Sequence, residues 1–97
     1  MVIKNYKWDL LITISEFLIP LGFDEKRLYF IFNRIQSRKE LINALYQLVE
    51  LVVKQAKNIK TIEQYELAKE AIHCILQERL KLIEASRNRN KQKASIR

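Results

Sequence analysis

One glycine, Gly22, and one proline, Pro20, in a chain of 97 residues leave almost nothing from which to build the tight turns of an all-β domain. The same scarcity removes any glycine-rich phosphate loop or nucleophile elbow, since each needs several glycines at fixed offsets. Only one cysteine, Cys74, is present, so no disulfide forms within the chain, and a reducing cytoplasmic setting is the simplest expectation. Cys74 has no second thiol and no zinc-ligand partner at the right spacing, and it reads as a packed or half-buried thiol. His73 is the only histidine. Glu70 stands three residues before it, the Glu-x-x-His spacing of di-iron bundles, but such a centre needs two of these pairs plus two further glutamates. One chain cannot supply them, and Glu66, Lys69, Glu70, His73 and Gln77 read together as a wet helix face. No catalytic residue, metal site, cofactor or small-molecule substrate is expected, and the protein is read as no enzyme.

A long uncharged run is also lacking. The first twenty residues imitate a signal peptide, with Lys4 and Lys7 ahead of an apolar stretch, yet Asp9 and Glu16 interrupt it and no small-residue cleavage site follows. The same carboxylates exclude a membrane span, which needs about 20 nearly uncharged residues.

What is present is 48% apolar and 30% charged residues, a composition that folds. Residues 1–86 are expected to form one all-α domain of three to four helices, with a compact radius of gyration of ~12–13 Å, and residues 87–97 a disordered basic tail. The first helix, about 6–19, carries Leu10, Leu11, Ile14, Phe17, Leu18 and Leu21 at spacings of three and four, with Trp8 near its start. "PLGFD" breaks it: Pro20 disfavours helix at Ile19, Gly22 can turn left-handed, and Asp24 can cap a second helix, about 25–36, that buries Leu28, Ile31, Phe32 and Ile35. Ser37 with Glu40 and Thr61 with Gln64 match the capping box, starting helices of about 38–57 and 62–86. The third is lined by Leu41, Leu45, Leu48, Val49, Val52 and Ala56, widened by Ile42 and Val53. The fourth is lined by Ile62, Tyr65, Ala68, Ile72, Ile75, Leu76 and Ile83. The segments 25–36 and 38–57 could be two helices or one kinked helix. "NIKT" is a short loop that favours an antiparallel pairing of the last two.

The tail supplies most of the formal net charge of +7, because Arg87, Arg89, Lys91, Lys93 and Arg97 face no acid after residue 86. Asn88, Asn90 and Gln92 add neutral donors between them, a composition that suits a phosphate backbone. The plainer reading is a solvated end that keeps a small protein soluble. Arg34 and Arg38, with Lys39 beside them, and Lys54 and Lys57 form a weaker second track. For the latter two, relief of a helix dipole is a sufficient explanation. In "LYFIF", residues 28–32, Leu28, Ile31 and Phe32 fill one helix face and leave Tyr29 and Phe30 pointing elsewhere, as a partner interface or a base-stacking platform.

In size, charge and helix content the chain is similar to two families: the small helical subunits of CRISPR effector complexes, which line a nucleic-acid strand, and the cytoplasmic immunity proteins of bacteriocin producers. The similarity carries no site residue. The leading expectation is a non-enzymatic subunit of a larger nucleoprotein complex that holds nucleic acid, DNA or RNA, by its backbone. The alternative is an interaction protein of the immunity or adaptor type, whose apolar faces bind a protein partner or a second copy and whose tail approaches a membrane surface or an acidic one.

Overall fold

The computed structural model describes the backbone of residues 3–95 and the side-chain surroundings of residues 5–87. Four helices follow one another, α1 (Ile3–Leu18), α2 (Glu25–Asn33), α3 (Arg38–Gln55) and α4 (Ile62–Ser95), with a 3₁₀ turn at Ala56–Asn58 and no strand among the described residues. Each helix packs on its predecessor, and α4 closes the bundle against both α3 and α1.

Capping chemistry sets the starts. The Asp24 carboxylate accepts from the Lys26 amide at 3.1 Å, and Ser37 Oγ accepts from the Glu40 amide at 3.1 Å while donating to the Glu40 carboxylate at 3.2 Å. Thr61 Oγ1 accepts from the Gln64 amide at 3.2 Å, and the Gln64 side chain reaches back to the Lys60 amide at 3.3 Å. Ser37, in extended backbone, therefore separates α2 from α3, which settles the choice between two helices and one kinked helix. Gly22 turns the chain after α1 with φ of +102°, a conformation that side chains rarely adopt.

The core is assembled from Leu10, Ile14 and Leu18 of α1, Leu28 and Phe32 of α2, Leu41, Leu45, Leu48 and Val52 of α3, and Ala68, Ala71, Ile75 and Leu82 of α4. Each large side chain withdrawn this far contributes about 2 kcal/mol. Two expectations shift here. Ile62, Tyr65 and Leu76, read as part of the apolar stripe of the fourth helix, are exposed, and so is Val53, because Ala68, Ala71, Ile75 and Leu82 form the stripe that α4 turns inward. In addition, α4 runs to Ser95, past the expected end at 86. Nothing in "RNRNKQKAS" stops a helix, since it lacks glycine and proline, and Arg, Lys, Gln and Ala are all good helix formers. With 34 residues α4 is ~51 Å long, which makes the molecule 56 Å in its longest dimension and raises the radius of gyration to 15.1 Å, above the compact expectation.

The most deeply placed charge was hidden in what resembled a leader. Lys7 is 7% exposed, donates from Nζ to the Ile35 carbonyl at 2.7 Å and lies 4.8 Å from the Trp8 ring. It ties α1 to the link between α2 and α3.

Candidate functional surfaces

Up-down-up-down topology gathers the start of α1, the end of α2, the start of α3 and the later half of α4 at one end of the bundle. Three contacts fix this register: Lys7 to the Ile35 carbonyl, Tyr6 Oη to the Glu78 carboxylate at 2.7 Å, and Arg79 Nε to the Ile42 carbonyl at 3.2 Å. Lys7, Arg34, Arg38, Lys39, Arg79, Lys81 and Arg87 therefore share this end with only Asp9, Glu40, Glu78 and Glu84 as acids. Among the described residues the one ion pair is Lys81 with Glu78 at 3.3 Å, and Glu40 is engaged in its cap. Positive potential from several elements thus accumulates where α4 leaves the bundle.

At the opposite end, marked by Gln55 Nε2 donating to the Leu21 carbonyl at 3.3 Å, signs are mixed. Lys26, Arg27, Lys54, Lys57 and Lys60 are accompanied by Glu16, Asp24, Glu25 and Glu63. The two pairs of the expected second track consequently part company. Arg34 and Arg38 belong to the end from which α4 extends, whereas Lys54 lies ~24 Å along α3 from Arg38. There Lys54 lines a recess with Arg27, Asp24, Phe23 and Gln55. Lys54 sits in the last turn of α3 and Lys57 in the 3₁₀ turn, where each complements the helix dipole. Of the tail cations, Arg87 is exposed on α4; the side chains of Arg89, Lys91 and Lys93, and Arg97 altogether, lie outside the described residues.

Tyr29 and Phe30 are 56% and 60% exposed. Tyr29 stacks on Trp8, with ring centroids 5.0 Å apart at 21°, and closes a groove of about 460 Å³ between α1 and α2 lined by Leu11, Ile12, Ser15, Glu16, Ile19 and Pro20. Phe30 faces the other way, into a shallower groove between α2 and α3 with Ile31, Ile35, Ala44 and Gln47, and the Arg34 guanidinium covers its ring at 5.5 Å. A flat aromatic under a guanidinium is an arrangement on which a base can stack, and Glu40 and Asn43 line the same groove.

Sequence reasoning missed Arg79 and Lys81, which sit in α4 with Glu78 and Glu84 nearby and look neutralised when read locally. Only the antiparallel packing on α3, where Arg79 bonds to the Ile42 carbonyl, brings them to the end of the bundle that holds Arg38 and Lys39. It also missed the exposed Tyr46, Leu76 and Leu80, since a second apolar stripe on one helix looks like a widened first one.

His73, Glu70, Glu66 and Lys69 line a shallow recess with Phe17 and Cys74. No group of three metal-binding side chains exists among the described residues. Burial chiefly, and Glu78 secondarily, push the Cys74 thiol up while Lys81 draws it back, so the sulfur stays protonated at neutral pH. No helix among the described residues is long and apolar enough to cross a membrane. No family model, curated protein or solved structure matches this chain.

Proposed function

We propose that the protein is a non-enzymatic nucleic-acid-binding subunit that grips a phosphate backbone with the extended end of α4 and the basic pole from which it emerges. The observation that carries this reading is that Arg34, Arg38 and Lys39, at the junction of α2 and α3, lie at the same end of the bundle as Arg79 and Arg87 of the distant α4. A chain that used charge only for solubility would have no need to collect it at one pole. Arg and Lys there neutralise phosphates, and Phe30 under Arg34 offers a surface for an unpaired base. The exposed apolar grooves support placing the subunit within a larger nucleoprotein complex, because faces of this kind are ordinarily covered by other chains. A protein-binding adaptor or immunity role is the second reading, favoured by the same grooves if the pole proves inert.

Salt dependence tests the reading. With roughly four phosphates neutralised, log affinity should fall against log salt with a slope of about −3 to −4, weakening binding ~10²-fold between ~50 and ~200 mM. Removing residues 87–97 should abolish most of that slope at an unchanged melting temperature. Binding by neither chain at low salt would hand the lead to the adaptor reading, whereas equal binding of single- and double-stranded nucleic acid by the truncated and full chains would take residues 87–97 out of the interface and leave the pole alone.

A further inference from the structure

The groove between α2 and α3 has two walls of different chemistry. Phe30 and Arg34, four residues apart on α2, make one wall, a ring 60% exposed with a guanidinium 5.5 Å from its centre. Glu40, Asn43 and Gln47, at spacings of three and four on α3, make the other, and buried Ile35 and Ala44 floor the space between them. Its volume of about 340 Å³ has room for one planar ring system and none for a duplex. An apolar helix laid here would leave a guanidinium, a carboxylate and two amides without partners, at a cost in desolvation. The larger groove between α1 and α2 has Glu16 and Glu25 on its walls and no cation, so it disfavours a phosphate chain.

We infer that the α2–α3 groove seats one unpaired base of a single strand, and that this base is guanine. The inference rests on the nucleic-acid reading and adds to it a strand type and a base. A base adds a further layer to the stack of ring and guanidinium, and this wall takes any base, because every base has a π-face. Selection belongs to the opposite wall. A carboxylate only accepts hydrogen bonds and has about four sites for them; Glu40 uses one, on Oε1, for the Ser37 hydroxyl. Guanine presents two adjacent donors, N1–H and its 2-amino group, beside the O6 acceptor. Glu40 takes the two donors, and the amide of Asn43 or Gln47 donates to O6. Adenine and cytosine set a ring acceptor beside their amino donor, and thymine or uracil flanks one donor with two carbonyls. Each of these would turn a lone pair toward the carboxylate. Lys39, one turn before Asn43 on α3, supplies a cation for an adjoining phosphate.

Fluorescence anisotropy tests the seat with oligothymidylates of about ten nucleotides carrying one central guanine, adenine or cytosine, and with a duplex of equal length. At ~100 mM salt the single strands should bind about tenfold tighter than the duplex, and the guanine strand at least ~fivefold tighter than the other two. Phe30→Ala should lower single-strand affinity about tenfold and leave duplex binding within about twofold. Helical circular dichroism should be retained, because the ring lies outside the core. Glu40→Gln keeps the capping chemistry, in which glutamine also serves, and should erase the guanine preference. Equal binding of single strand and duplex that Phe30→Ala leaves unchanged overturns the seat while the backbone reading stands. No preference among the three strands, or a guanine preference that survives Glu40→Gln, overturns the base assignment. Binding to none of the four probes overturns the nucleic-acid reading, and the seat with it.

Discussion

The two ends of the bundle are closed by the same kinds of device and carry different charge. Where α4 departs, the link between α2 and α3 is held by a buried lysine, and cations from α2, α3 and α4 outnumber acids. At the other end the turn after α1 is held by a neutral amide, Gln55, and carboxylates more nearly balance the cations. The difference teaches that a local run of like charge and a spatial pole are separate things. "KQAKNIK", residues 54–60, is a run that becomes a solvated helix end, while Arg34, Arg38, Arg79 and Arg87 form no run and share one end of the bundle.

Breaking the clamp at the basic end should have the largest effect. Lys7→Ala removes a buried stem and leaves the Ile35 carbonyl without its donor, an expected loss of about 2–3 kcal/mol. For a domain of this size that lowers the melting temperature by ~10–20 °C, readable by thermal circular dichroism. Gln55→Ala, the corresponding change at the opposite end, should cost no more than about 1 kcal/mol.

The turn itself gives the next effect. Gly22→Ala forces a side chain to a φ of +102° with its Cβ 3.4 Å from Gln55 Nε2, and should destabilise by about 1–2 kcal/mol in urea titration. Nucleic-acid affinity should not change, because the basic pole is remote from this turn.

Charge neutralisation sharpens the comparison directly. Arg34→Gln with Arg38→Gln should reduce affinity for an oligonucleotide about tenfold at ~50 mM salt and make the salt slope shallower by one to two. The pair Lys54→Gln and Lys57→Gln should change affinity less than about twofold. Equal effects from the two pairs would dissolve the distinction between the ends.

The smallest change concerns Tyr6. Burial first, and the hydrogen bond to Glu78 second, raise its phenol well above the ordinary tyrosine range, so the folded protein holds this proton more tightly than the unfolded chain does. Stability from this contact is complete below the unfolded value near 10 and is lost as pH rises beyond it. Tyr6→Phe should cost about 1 kcal/mol at neutral pH and flatten the alkaline decline in a denaturation series.

The choice between three helices and four waited for the extended backbone at Ser37. Three of the four helix starts and most of the core of α1 to α3 were legible in the chain, because caps and periodicity act over three or four residues, a range that a sequence displays directly. So was the exposure of Tyr29 and Phe30, since Leu28, Ile31 and Phe32 had already claimed the inner face. The backbone of α4 continues as helix to Ser95, past the change to basic composition, because helix propensity runs through it. What only the tertiary structure decided depends on which helix lies beside which and in what direction. It buried Lys7, chose between the two apolar stripes of α4, and brought Arg79 to the basic pole. Each outcome depends on contacts between residues tens of positions apart, and local pattern carries no information about those until the helices have packed.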